Sequence, residues 1–112
     1  MIPLSRGAIH HVNLGDTPEG HEAAFTRPAL VLSAHYLMPE QVTIVVPGTR
    51  TRLGWVTHVE VTPEESGLLE TTYLQCEQVR AISTSRISRR LGTANGMHMT
   101  RIESILREIL GL

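Results

Sequence analysis

A chain of 112 residues holds one compact domain, spanning 1–112, and has no room for two. Its 41% hydrophobic content supports a modest core, and a formal net charge of -1 excludes a global electrostatic pull on nucleic acid. Cys76 is the only cysteine, which excludes an internal disulfide framework.

The ten cations are all arginine. Arginine is the residue of bidentate phosphate recognition, because its planar fork matches two oxygens; a codon bias towards arginine explains the same composition. Distribution carries more than the sum: Arg50 and Arg52 form one group, and Arg80, Arg86, Arg89 and Arg90 another. No apolar stretch reaches the length of a membrane span. The opening "MIPLSRGAIHHV" lacks the long apolar core of a signal peptide. Together with the lone cysteine this predicts a cytoplasmic protein.

In chain order, "GAIHHVNL" (7–14) reads as a strand that ends at the turn pair Gly15-Asp16. Residues 19–26 read as a loop. "ALVLS" (29–33) and "VTIVV" (42–46) are short apolar runs of the kind that strands buried on both faces require. A short helical turn is expected near His35–Met38. "WVTHVEV" (55–61) alternates, with Thr57, Val59 and Val61 on one face and His58 and Glu60 on the other. "LLETTYLQ" (68–75) and "EQVRAIS" (77–83) predict two more strands or one long bent one. The last segment predicts a helix. Asn95 is its N-cap, Met99, Ile102, Leu106 and Ile109 form its apolar stripe, Ile105 and Leu110 widen it, and Glu103 and Arg107 make an i,i+4 pair. Short strands followed by one helix predict a small, strongly curved sheet or barrel.

The candidates for chemistry fall in four places. Arg27 precedes Pro28, which biases it towards an extended backbone, so its guanidinium heads the apolar run at a strand mouth. An anion site and a salt bridge to Glu22 or Glu19 both account for it. Thr49 and Arg50 follow Pro47-Gly48 at a strand end, where N–H groups, a hydroxyl and a cation can hold phosphate, although these are also ordinary loop residues. His21 and Glu22 bring an imidazole and a carboxylate near Arg27, and His is the commonest general acid or base. "QCEQVR" (75–80) as a strand puts Gln75 and Glu77 on one face and Cys76, Gln78 and Arg80 on the other. His10 and His11 point to opposite faces of a strand, and no metal-ligand spacing is present, so neither metal nor other cofactor is expected.

These pieces in this order resemble the MazF/PemK/Kid family of toxin ribonucleases. "SRGAIHHVNLG" is similar to the family's opening strand. "GHEAAFTRPALVLS" resembles its segment Gly–Ser/His–Glu–Gln–x–Gly–x–Arg–Pro followed by an apolar run. "TIVVPGTRTR", "THVEV", "CEQVRAI" and "SRISRRLG" match later blocks, and the chain closes on the familiar Leu-Gly-Leu. Ala8, Ala23 and Ser83 stand where the family commonly has an acid, a glutamine and an aspartate. The family's two functional positions fall on Arg27 and Thr49. In the Kid branch a His and an Arg-Cys-Asp triplet carry catalysis, and the matching positions here are His21, Gln75 and Glu77.

The resemblance implies a mainly β fold, a small curved SH3-like barrel (MazF/CcdB-like) with a C-terminal helix, assembled as a homodimer. It implies sequence-specific, metal-independent cleavage of single-stranded RNA, whether mRNA, tRNA or rRNA, to 2′,3′-cyclic phosphate and 5′-hydroxyl ends, stopping translation and growth. Its site residues are then Arg27 and Thr49, with His21, Glu22 or Glu77 as base and Arg50, Arg52, Gln78, Arg80 and Arg86 on the RNA. Its protein partner is a MazE-like antitoxin with an acidic, disordered tail. The other functions the same fold implies are a CcdB-like inhibitor that binds DNA gyrase and a catalytically inactive binding module.

Overall fold

A computed structural model describes residues 4–16, 19–20 and 22–112. Its strands are β1 (Ala8–Asn13), β2 (Thr26–Val31), β3 (Val42–Thr49), β4 (His58–Val61), β5 (Thr72–Gln75), β6 (Arg80–Ser83) and β7 (Ile87–Thr93). A short helix α1 (Pro63–Ser66) follows β4, and α2 (Gly96–Leu110) closes the chain. The fold is mainly β: a curled half-barrel sheet in the order β4-β5-β3-β2-β1-β7, with β6 also paired to β3, and a C-terminal helix. All the pairings are antiparallel.

The apolar runs of β2 and β3 are buried on both faces, as their continuity predicts. Leu30 and Val46 enter one core with Ile9, Val59, Val61, Leu74 and Ile102. Ala29 and Val45, the alternate residues, enter a second with Val12, Ile82 and Ile87. The sheet therefore separates two apolar layers, and α2 covers the first through Ile102 and Leu106.

β3 is the hub. Val42–Val45 pair with β6, Val45–Pro47 with β2, and Gly48–Thr49 with β5. Pro47 has no N–H to give to a ladder, which suits a point where the pairing changes hands. Gly48 follows because no Cβ fits: one built there would lie 2.7 Å from the Thr72 methyl and 3.2 Å from the Pro28 carbonyl oxygen. This close approach draws the start of β2 and the end of β3 together, and it carries Arg27 and Thr49 with it.

α2 begins as its sequence predicts. The Asn95 side chain accepts from the His98 N–H at 2.9 Å, and His98 Nδ1 accepts from the Asn95 N–H at 3.1 Å. Gly111 (φ 70°) ends the helix in the left-handed conformation. The Asn95 cap ties to α1, since buried His98 reaches Glu65 through Nε2 at 3.3 Å, and Glu65 closes a capping box with Thr62. The wide stripe of α2 is only partly covered: Ile102 and Leu106 are buried, whereas Ile109 and Leu110 are exposed.

Several expectations need correction. Residues 55–57 precede β4 as a turn, so the strand is shorter than the alternating run 55–61, and His58 is buried as well as Val59 and Val61. Of the two alternatives for 68–83, the structure has two separate strands, each shorter than expected. A 3-10 turn at Cys76–Gln78 separates β5 from β6 and ends the two-residue periodicity that would put Gln75 and Glu77 on one face. β2 begins at Thr26, inside the expected loop. Glu103 pairs with Arg6 at 2.9 Å rather than with Arg107. The 3-10 turn His35–Leu37 falls where a helical turn is predicted.

Gly48→Ala should lower stability by about 1–3 kcal/mol, the usual cost of forcing extra volume into a packed interior. Asn95→Ala should cost about 1 kcal/mol through loss of the cap. Urea denaturation of both variants checks the pair; a Gly48→Ala protein as stable as wild type would show that β2 and β5 can separate freely.

Candidate functional site

β2 opens on Arg27 and β3 ends on Thr49, so both residues lie at strand termini brought together by the Gly48 junction. They line one cleft of about 370 Å³ with Arg50, Glu70, His11 and Arg89. Arg27 makes no ion pair with a carboxylate among the described residues. Its Nε instead donates to the Ala24 carbonyl oxygen at 2.7 Å. That bond fixes the plane of the guanidinium and leaves the two terminal nitrogens as a fork, the geometry that meets two anionic oxygens.

Thr49 is largely buried, and its hydroxyl oxygen accepts from the Thr51 N–H at 3.2 Å. Accepting that bond leaves the hydroxyl proton available for donation to another partner. Arg50 pairs with Glu70 at 2.8 Å, both exposed, a pair of small energetic weight in water. Three guanidinium groups against one carboxylate leave the cleft positive.

His11 has no signal in the linear sequence as a site residue, and Arg89 has only its place in the arginine group 80–90. His11 sits opposite Pro28 in the β1–β2 ladder, and Arg89 lies on β7, the other neighbour of β1. Only the strand register brings them to Arg27. His11 is half-buried, and no hydrogen bond to its ring is formed among the described residues. Its neighbour His10 points the other way, buried, with Nδ1 donating to the Ser88 carbonyl oxygen at 3.0 Å.

The other expected site residues lie elsewhere. His21 is outside the described residues. Glu22 is exposed and lines neither this cleft nor its neighbour. Arg52 is exposed beyond the end of β3. The side-chain oxygen of Gln78 accepts from the Ala23 N–H at 3.0 Å, and Arg80 donates to the Leu14 carbonyl oxygen at 3.2 Å, so both side chains hold backbone outside the cleft. Arg86 lines a neighbouring cleft.

Glu77 stands in a cluster of its own. Its carboxylate accepts from Thr57 Oγ1 at 2.7 Å and from His58 Nε2 at 3.0 Å. Partial burial pushes its pKa up, but the hydrogen bonds from Thr57 and His58 outweigh this and hold the carboxyl below the usual range. A carboxylate so held is a weak base. Beside it, burial and the Glu77 charge push the Cys76 thiol up to about 12, so it stays protonated and unreactive. No group of three potential metal-ligating side chains exists among the described residues, and no helix among them is long and apolar enough to cross a membrane.

Over residues 5–110 the chain matches the family described as PemK-like, MazF-like toxin of type II toxin-antitoxin system. Its structure is similar to MazF from Deinococcus radiodurans, with TM-score 0.83 and 24% identity over 100% of this chain and 99% of that one. It is similar to the Mycobacterium tuberculosis toxin MazF-mt6, with TM-score 0.76 and 22% identity over 94% and 97%. A mycobacterial endoribonuclease in complex with its cognate antitoxin gives TM-score 0.76 and 23% identity over 99% and 97%. At these identities the likeness is one of fold.

The Glu77 cluster has a signed consequence. A carboxyl held lower in the folded than in the unfolded chain contributes stability above the unfolded value, about 4.3, and loses it as pH falls through the folded one. Glu77→Gln should therefore be less stable than wild type at pH 7, and the gap should narrow as pH falls below about 4. Urea melts at pH 7 and pH 3 measure this; a gap that does not change with pH would remove the carboxylate's role.

Proposed function

The chain belongs to the PemK-like, MazF-like toxin family of type II toxin–antitoxin systems, and from that premise we propose that it is an endoribonuclease that cuts single-stranded RNA at the Arg27–Thr49 cleft, without metal. The observation that carries the reading is the anchored Arg27 fork beside the Thr49 hydroxyl in a positive cleft. RNA brings its own nucleophile, the 2′-hydroxyl next to each phosphorus. The protein must take that proton, hold the charge that builds on the non-bridging oxygens, and let the 5′-oxygen leave. The Arg27 terminal nitrogens face the second task, with the Thr49 O–H as a further donor. The products are a 2′,3′-cyclic phosphate and a 5′-hydroxyl.

For the base, the residues expected from sequence were His21, Glu22 and Glu77. Glu77 is engaged with Thr57 and His58, and Glu22 does not line the cleft. His11 is the imidazole that does, with no competing hydrogen bond on its ring among the described residues. The reading assigns the proton to His11, with Arg50, Arg52 and Arg89 on flanking phosphates and Gln78, Arg80 and Arg86 along the 14–26 side. The protein acts as a cytoplasmic homodimer, for which exposed Ile109 and Leu110 at the end of α2 offer apolar surface. A MazE-like antitoxin with an acidic tail competes with RNA for the same guanidinium groups, so its inhibition weakens with salt.

Total RNA incubated with the purified protein in EDTA tests the reading: discrete fragments with 5′-hydroxyl ends support it. Intact RNA with blocked DNA supercoiling supports a CcdB-like gyrase inhibitor instead. Arg27→Ala should lower cleavage by at least about 10²-fold without loss of fold. Thr49→Ala should lower it strongly, and Thr49→Ser should keep most of it. His11→Gln should lower kcat by about 10²–10⁴-fold at saturating RNA, the usual contribution of a positioned base. A rate that survives His11→Gln and is lost in His21→Gln moves the base to His21.

A further inference from the structure

Phe25 is out of place by two physical criteria. Its φ is 66°, in the left-handed region that glycine enters freely and that a bulky side chain enters under strain. The backbone cannot relax out of it cheaply. The Phe25 N–H donates to the Gly15 carbonyl oxygen, and the Phe25 carbonyl oxygen accepts from the Leu14 N–H at 2.9 Å. Strain of this kind is ordinarily offset by burying the side chain. Here the ring is 55% exposed, so core packing does not account for it. Strained residues without a packing reward gather at sites of recognition.

The surroundings say what the ring meets. Phe25 lines a second cleft of about 390 Å³ with Asn13, Asp16, Thr26 and Arg86. Thr26 also lines the Arg27 cleft, so the two run together through consecutive residues. One Arg86 terminal nitrogen donates to the Asn13 carbonyl oxygen at 3.3 Å, and the residue is exposed. A planar apolar face, an arginine beside it and a phosphate-binding fork two residues further on are the elements of a single-stranded nucleic acid track. Asp16 adds an acceptor for the amino group of a base.

We propose that Phe25 is a positioning residue for RNA: a base flanking the scissile phosphate stacks on its ring, with Arg86 on the adjoining phosphate. The inference rests on the RNA-cleavage reading above and adds to it the subsite that holds the neighbouring nucleotide. At 55% exposure beside Thr26 and Arg86, Phe25 is open to a base approaching along the joined clefts. No chemistry is assigned to Phe25, so its loss affects binding and register rather than proton transfer.

The test uses Phe25→Gly, which suits the backbone angle, and Phe25→Tyr, which keeps a stacking face. The probe is a mixed-sequence single-stranded RNA dodecamer carrying 2′-O-methyl groups, which cannot be cleaved, with binding read by fluorescence anisotropy. Phe25→Gly should melt at or above the wild-type temperature yet bind the RNA about 5- to 150-fold more weakly. With unmodified RNA its KM should rise while kcat at saturation changes little. Phe25→Tyr should restore binding. Quenching of 2-aminopurine placed in the dodecamer should fall in Phe25→Gly and return in Phe25→Tyr. A Phe25→Gly protein that binds and cuts as wild type does overturns the stacking role and leaves the exposed ring to a protein partner. Wild-type protein that neither binds nor cuts RNA overturns the cleavage reading itself, a result independent of the Phe25 variants.

Discussion

The missing side chain at Gly48 is the constraint on which the rest of the structure depends. A strand that must serve three neighbours cannot do so as a regular ribbon, because its edges are already taken. β3 solves this by pairing with β6 and then β2 from Val42 to Pro47 and passing to β5 over its last two residues. The passage works only if the backbone lies against the Pro28 carbonyl oxygen and the Thr72 methyl without a Cβ between them. Both cores, the curl of the sheet and the meeting of Arg27 with Thr49 follow from that contact. The cleft is thus a property of the junction and not of a loop laid over it.

Arginine is used here as a structural anchor as much as a charge. Arg6, Arg27, Arg80 and Arg86 each donate to a backbone carbonyl oxygen in a different part of the chain. Arg6 does two things at once, giving Nε to Leu32 and a terminal nitrogen to Glu103. A lysine ammonium has one nitrogen and cannot divide itself between a carbonyl and an anion in a fixed plane. The absence of lysine from the sequence therefore has a local meaning at these positions, whatever its origin in codon usage. At Arg27 the division is between holding the residue still and leaving a fork open.

The parts of the fold that were legible are those whose information is local. The stripe Met99, Ile102, Leu106 with Asn95 in front of it describes α2, and the unbroken runs at 29–31 and 42–46 describe strands covered on both sides. α1 was written as Thr62-Pro63-Glu64-Glu65, a capping-box pattern, but four residues carry no periodicity to draw attention. β7 was hidden because its middle, Ser88, Arg89 and Arg90, is exposed and polar, so hydrophobic alternation is missing. The 3-10 turn at Cys76–Gln78 was hidden for the opposite reason, since its neighbours alternate well enough to pass for one strand. In the cleft, Arg27 and Thr49 could be singled out from strand ends and family resemblance. His11 and Glu70 could not, and Arg89 stood out only as one of a group of arginines, because the fold and not the local sequence brings them there. Phe25 occupies a position that is glycine in the resembling segment, and only the backbone angle shows what that substitution costs.

The pairing of β1 with β7 joins Ala8 to Thr93. Contacts between residues so distant along the chain form late, since a long loop must close before they contribute anything. One wall of the cleft comes from β1 and another from β7, so a nascent chain still lacking β7 carries Arg27 and Thr49 in a cleft that lacks the wall bearing Arg89 and Leu91. During synthesis at about 5–20 residues per second, the chain spends seconds in that state. Completion of the site is therefore timed by translation itself: the cleft gains its last wall only when the ribosome has released the strand bearing Arg89.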